Sequence, residues 1–205
     1  MIQEYQVSGF RVREYEELRS TNTEAERVGW NELEDKMVIL TYRQTQGRGQ
    51  VGNHWESEPG KNISMTVVFK PRELPAGQQF AVSMVIALGA CDFISRYVNG
   101  CSVKWPNDIY VGDRKISGIL IEHSIMGRYV GGSLCGIGVN INQEHFLSDA
   151  PNPVSLFQLI GERIPVERAL EELLDCIGRR YESIRDYEGL ERDFLKVLYR
   201  REGVY

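Results

Sequence analysis

In residues 62–69, Ile63, Met65, Val67 and Phe69 point one way and Ser64 and Thr66 the other. A period of two marks a β-strand, so this stretch commits the chain to a sheet that needs covering. The run 37–42 (MVILTY) reads as another buried strand. Shorter candidates lie at 10–15 and 101–104, and 109–111 with 115–122 form a hairpin through Gly112-Asp113. The stretch 129–142 is strand-like but dense in glycine (Gly131, Gly132, Gly136, Gly138). Glycine weakens pairing there and commonly marks close approach by a ligand or another backbone.

Cover comes from helices. A short one is expected at 23–30, with Ser20-Thr21-Asn22 as ready N-cap residues. The stretch 78–97 carries Phe80, Met84, Val85, Leu88 and Phe93 mostly at helical intervals and predicts a long core helix. From 154 onward the pattern is helical, with Ala169, Leu170, Leu173, Leu174, Ile177, Tyr181 and Ile184 on one stripe. Leu190, Phe194 and Leu198 repeat it, and 199–205 show neither cap nor tail composition. The reading is one α+β domain over 1–205, a mixed β-sheet with helices packed on it.

The formal net charge of −5 argues against a broad basic surface, so no DNA binding is expected. The opening MIQEYQVSGFR has no apolar stretch flanked by positive charge, and 80–94 is too short and mixed to cross a bilayer. Neither secretion nor a membrane is expected. Cys91, Cys101, Cys135 and Cys176 form no CxxC pair. Buried reduced thiols in a cytoplasmic setting fit better than zinc or disulfides.

Chemistry concentrates in four separated segments. Residues 44–55 (QTQGRGQVGNHW) put Gly47, Gly49 and Gly52 around Arg48 and close on Trp55. Glycines let backbone N–H groups turn toward an anion, arginine adds a fixed positive fork, and the indole offers a stacking face. The spacing is neither a Walker loop nor a dinucleotide fingerprint. Lys104-Trp105-Pro106-Asn107-Asp108 sets a cation, an amide and a carboxylate around a kink, where Trp105-Pro106 could also be plain core packing. Lys115 starts the next strand, and Gly136-Ile137-Gly138-Val139-Asn140 ends another. Two lysines and an arginine could neutralise phosphates, and Asp108 could hold magnesium.

In this order the segments resemble the biotin protein ligases: Ser20-Thr21-Asn22, Gln44 to Gly49, Trp55, KWPND at 104–108, KISGIL at 115–120 and GIGVNIN at 136–142. The resemblance implies a catalytic domain of the class II aminoacyl-tRNA synthetase and biotin protein ligase type. It implies ATP-dependent formation of biotinyl-5'-adenylate and transfer of biotin to a lysine of a biotin carboxyl carrier protein or domain, with Mg²⁺ assisting. By resemblance Ser20, Thr21, Asn22 and Gln44 would pair with the biotin head group, and Gly136 and Gly138 would let ring and tail lie on strand backbone. Gly47, Gly49, Gln50 and Gly118 would complete the biotin site. Arg48 and Lys115 would hold carboxylate and α-phosphate together, Lys115 being the indispensable residue. Trp55 and Asn140 would receive adenine, and Lys104, Asn107 and Asp108 would support the phosphates.

Two departures stand out. Many relatives carry a second arginine where this chain has Gln50, which shifts phosphate work onto Arg48 and Lys115. The N-terminal DNA-binding and C-terminal SH3-like β-domains of some relatives are not expected in this chain. The glycine loop is expected to be mobile without ligand. A lipoate or octanoate ligase, or a non-catalytic biotin or nucleotide module, are the alternatives, and a free sheet edge would let two copies, or the acceptor, pair.

Overall fold

The computed structural model describes residues 2–50, 52–147 and 152–200. Val51 of the glycine loop and the tail residues 201–205 lie outside them. Strand β1 (Ile2–Val7) folds back on β2 (Phe10–Tyr15) as an antiparallel hairpin. Its turn residues Ser8 (φ 48°) and Gly9 (φ 80°) are both left-handed, as a tight hairpin turn demands. The sequence pattern gave no hint of β1, because its residues alternate between exposed and half-buried rather than apolar and polar.

The chain continues through α1 (Thr21–Val28), β3 (Met37–Thr41), the short pair β4 (Gly47–Arg48) and β5 (His54–Trp55), and β6 (Ile63–Phe69). A 3₁₀ turn at Ala76–Gln78 leads into α2 (Phe80–Ile94), then β7 (Cys101–Lys104), β8 (Asp108–Val111), β9 (Arg114–Met126) and β10 (Tyr129–Val139). Helices α3 (Leu156–Ile160), α4 (Val166–Glu182) and α5 (Tyr187–Lys196) follow. One eight-stranded sheet runs β1-β2-β3-β6-β10-β9-β8-β7. Only β2 and β3 are parallel, so the mixed sheet is as expected.

The two faces of this sheet differ in kind. Val38, Leu40, Ile63, Met65, Val67, Cys135, Ile137 and Ile119 lie under the helices in one large apolar cluster. Helix α2 is buried within it, packed on α4 so tightly that a Cβ on Gly89 would come 2.8 Å from the Cα of Ile177. The stretch Ala76–Ile94 is thus a core helix despite its apolar length.

Cross-strand register aligns the other face. Ile39, Thr66 and Gly136 are successive partners with Leu120, and Thr41, Ser64 and Gly138 with Gly118. One end is covered by Ala25 of α1 together with Leu33, Met37, Val68 and Leu134. The remainder is lined by hydroxyls and bare backbone.

Strand β7 is not an open edge. Val103 N–H donates to the carbonyl of Val197 at 2.7 Å, and Tyr199 N–H to that of Val103 at 2.8 Å. Trp105, next to a cis peptide bond with Pro106, is 66% exposed, so it is not core packing.

Candidate active site

A cavity of about 760 Å³ opens on the uncovered face, within the ~300–1,000 Å³ of small-molecule sites. Its floor is the paired glycines Gly118 and Gly138 with Gly136 beside them. Their missing side chains are not left for a ligand, contrary to expectation. A Cβ on Gly136 would lie 2.2 Å from Asn22 Oδ1, and one on Gly138 2.2 Å from the Trp55 ring. Gly118 is likewise covered by Trp55, 3.0 Å away. The glycines are there to admit two of the protein's own side chains onto the strands.

One corner is neutral and polar. Residues 18–19 run beside 44–46, with Thr45 N–H donating to Leu18 O at 2.9 Å and Gln46 N–H to Arg19 O at 2.8 Å. This brings Ser20, Thr21 and Asn22 to Gln44, whose Oε1 accepts from Thr21 N–H at 3.0 Å. Ser20 occupies the N-cap position of α1, yet its hydroxyl makes no capping bond. Helix capping alone does not account for it. Thr66 Oγ1 stands 2.6 Å from Asn22 Oδ1 and 2.9 Å from Thr21 Oγ1. Asn22 Nδ2 donates to Glu122 Oε2 at 2.9 Å and to Leu120 O at 3.3 Å. Both ends of this amide are already engaged within the protein, so it orients the corner.

The charged groups come from three neighbouring strands, Lys104 from β7, Asp108 from β8 and Lys115 from β9. Lys115 is held by its backbone: its N–H donates to Asn152 O at 2.9 Å, and its carbonyl accepts from Val154 N–H at 2.8 Å. Its ammonium reaches Asp108 Oδ1 at 2.7 Å and lies 5.9 Å from the Trp55 ring. Asp108 is therefore the ammonium's counter-ion. A magnesium ion does not fit there on protein groups alone, because among the described residues no three His, Cys, Asp or Glu side chains converge. Lys104 Nζ rests on Tyr110, 3.1 Å from its hydroxyl, and this hydrogen bond raises the lysine pKa. Asn107 Nδ2 donates to Ile119 O at 3.0 Å and ties the kink to β9.

Arg48 is already paired within the protein. It lines the cavity, but its guanidinium binds Glu26 at 2.7 Å and Glu122 at 2.8 Å. The hydrogen bond to Glu26 raises its pKa further. Lys115 packs at the level of Gly118, and Glu122 lies about 13 Å further along β9 at ~3.3 Å per residue. Arg48 and Lys115 share one hollow, as expected.

Two expected site residues fall outside the cavity lining. Asn140 Nδ2 donates to Val154 O at 3.0 Å, so the side chain clasps the end of β10 to the segment leading into α3. Its Oδ1 has no partner. Gly47 pairs with Trp55, and a Cβ there would meet the Trp55 carbonyl at 2.4 Å. Gly49 and Gln50 line the cavity as anticipated, together with Trp55, Lys104, Asn107 and Asp108.

Residues 15–140 match the family described as biotin/lipoate A/B protein ligase. The chain belongs to this family. A biotin--[acetyl-CoA-carboxylase] ligase of Paracoccus denitrificans is 32% identical to this family member over 184 residues, covering 82% of the chain and 72% of the relative. A bifunctional ligase/repressor BirA of Bacillus subtilis is 28% identical, covering 89% of the chain and 56% of the relative. The chain spans about half the length of the Bacillus proteins it matches. Among solved structures, the Aquifex aeolicus biotin protein ligase in complex with biotin and ATP shares the fold with a TM-score of 0.76 at 23% identity, covering 91% of this chain and 78% of that one. The Leishmania major enzyme in complex with biotinyl-5-AMP gives 0.74 at 21%, covering 95% and 83%.

Sequence reasoning missed Tyr110, His54 and Asn53 in the lining and Glu26 and Glu122 beside it. A signal for Glu122 existed: Gly118, Leu120 and Glu122 fall on one face of a strand by alternation.

Proposed function

We propose that this protein activates biotin with ATP and passes it to a lysine of a biotin carboxyl carrier protein or domain. The single observation that carries this reading is one cavity with a neutral hydrogen-bonding corner at one end and an ammonium–carboxylate pair at the other. Biotin has that polarity: a ureido head with one carbonyl and two N–H groups, and a carboxylate at the end of its tail. Ser20, Thr21 and Gln44 take the head, with Asn22 shaping the wall. A site built to hydrogen-bond a head group rejects ligands lacking it by roughly 10⁴-fold or more.

In the first step a carboxylate oxygen of biotin attacks the α-phosphorus of ATP, and the bond to the β-phosphate oxygen breaks, releasing pyrophosphate. Lys115, freed from Asp108 as phosphate enters, neutralises charge building on the α-phosphoryl oxygens. A preorganised donor of this kind contributes about 3–4 kcal/mol. Lys104 and Asn107 flank the phosphates, and Trp55 offers its face to the adenine. In the second step the acceptor amine attacks the acyl carbon of the mixed anhydride, AMP leaves, and the amine loses a proton. No covalent enzyme intermediate is required.

Trp55 of β5 covers part of the site floor. The acceptor, or a second copy, has a sheet edge available on β9, whose pairing with β8 ends at Gly118. The four unbridged thiols suit the cytoplasm.

Incubation with biotin, magnesium ATP and an acceptor domain tests the proposal. Acceptor mass should rise by one biotin, and pyrophosphate exchange should depend on biotin and not on lipoate. Exchange driven by lipoate would favour the other branch of the family. Biotin binding without exchange would mark a non-catalytic module.

A further inference from the structure

The hydrogen bonds of the head-group corner run in one direction, and the residue that sets the direction, Thr66, lies outside the cavity lining. Asn22 Nδ2 faces Glu122 Oε2 at 2.9 Å and, at 3.3 Å, the Leu120 carbonyl, which can only accept. The amide is therefore fixed with Oδ1 on its other side, toward Thr66. A carboxamide oxygen carries no proton, so the single proton of the Thr66 hydroxyl belongs to the 2.6 Å contact with Asn22 Oδ1. Thr66 Oγ1 also lies 2.9 Å from Thr21 Oγ1, and with its own proton committed it can only accept there. Thr21 must donate. Its one proton points into the protein, and what its hydroxyl offers the cavity is lone pairs. Thr66 is fully buried and Thr21 and Asn22 nearly so, which leaves bulk water little access to scramble this order.

We propose that Thr66 is a positioning residue that sets the proton order of the corner, making Thr21 a fixed acceptor and so selecting a ligand that presents an N–H there. The choice of ligand rests on the biotin reading above, a ureido N–H being the donor that biotin brings; the proton order does not. The sheet holds Thr66 in place. Its cross-strand partners are Ile39 and Gly136, and the bare backbone of Gly136 lets the Asn22 amide lie over that row. A ring oxygen in place of the ligand N–H would set lone pairs against lone pairs, with no proton free to turn toward it. Unpaired polar contacts in a buried site are what make such discrimination large. Valine at 66 keeps the shape of threonine but removes both donor and acceptor, so the Thr21 hydroxyl is released to turn its proton to the cavity. Serine keeps the hydroxyl and the order.

Neutron diffraction from deuterium-exchanged crystals of the ligand-free protein reads the order directly. The deuteron of Thr66 should lie on the line to Asn22 Oδ1, and that of Thr21 on the line to Thr66 Oγ1. A Thr66 deuteron aimed at Thr21 would overturn the proposal. Calorimetry then compares biotin with its two cyclic carbamate isomers, in each of which a ring oxygen replaces one ureido N–H, on wild type, Thr66→Val, Thr66→Ser and Thr21→Ala. Wild type should prefer biotin over one of the isomers by roughly 10²-fold or more. Thr66→Val should weaken biotin by roughly three- to tenfold and cut that preference by about tenfold, because the isomer gains a donor as biotin loses an acceptor. Thr66→Ser should keep the wild-type ratio. Thr21→Ala removes the acceptor itself and should shrink the ratio as far, whether or not the valine variant folds; once Thr21 is alanine, Thr66→Val should change the ratio no further. Equal weakening of all three ligands in Thr66→Val, or an intact preference in Thr21→Ala, would assign Thr66 a packing role and overturn the proposal. A wild type that binds none of the three, with the deuterons placed as described, would remove the biotin reading and leave the proton order standing.

Discussion

The helix-covered face of the sheet and its open face are built from the same strands by opposite rules. The covered face is packed chiefly with hydrocarbon, and close approach there is backbone against backbone, as at Gly89 and Ile177. On the open face close approach is glycine against a polar or aromatic side chain, as at Gly136 and Asn22. Two buried polar atoms without partners, Ser64 Oγ and Trp55 Nε1, belong to the open face. Such atoms cost stability, and a protein keeps them where a ligand can satisfy them. The contrast teaches that stability and binding are carried by alternate residues of single strands, with Met65 serving one and Ser64 the other.

The largest expected effect sharpens the binding side. Lys115→Ala should cut biotin-dependent pyrophosphate exchange by roughly 10²–10³-fold, while calorimetry finds biotin bound within a few fold of wild type. Arg48→Ala should cost less, about tenfold, because two carboxylates already neutralise this guanidinium. A loss equal to that of Lys115→Ala would give the two residues equal weight. Next come two glycines, one per face. Gly89→Ala should cost about 1–3 kcal/mol by urea unfolding, because backbone of α4 must move and the helix-propensity gain of about 1 kcal/mol does not cover it. Gly138→Ala should leave the urea midpoint nearer wild type and weaken ligand binding by displacing the Trp55 indole. If the two variants behaved alike, the division between faces would be wrong.

Smaller effects follow. Ser64→Ala should leave the free protein as stable or more stable by up to about 1 kcal/mol, with weaker binding. His123 sits on the covered side, 2.8 Å from Ser133, and burial lowers its pKa below 6.5. The unfolded chain therefore takes up its proton first on acidification. Stability should be full above pH 6.5 and fall as pH drops below it toward the lowered folded value. Urea midpoints of wild type and His123→Gln across pH 5–7.5 would check this.

Much of this division was legible in the sequence. The alternation of Ile63, Met65 and Val67 with Ser64 and Thr66 located a strand and also, unrecognised, its two duties. KWPND and the lysine-led strand pointed to one end of the site through their resemblance to the family's motifs, since a lysine or aspartate at a bend is by itself most often a solvated charge. Side-chain contacts across the sheet were not legible. Nothing in the order of residues says that Asn22 and Trp55 fill the hollows of Gly136 and Gly138, or that Arg48 answers to Glu26 and Glu122. Those facts depend on cross-strand register and on where α1 crosses the sheet. Strand β1 was missed because an outer strand that sends only Tyr5 and Val7 against the core needs no sustained apolar alternation.

The strip at 197–199 that hydrogen-bonds along Val103 has a practical bearing. Tyr199 also rests against Tyr110, the residue on which Lys104 leans. A shortened version ending at Lys196 would bare a row of amides and carbonyls able to recruit neighbouring molecules, and would slacken the support of a lysine at the mouth of the hollow. Anyone trimming the protein for crystallisation or tethering would do better to cut well clear of that strip.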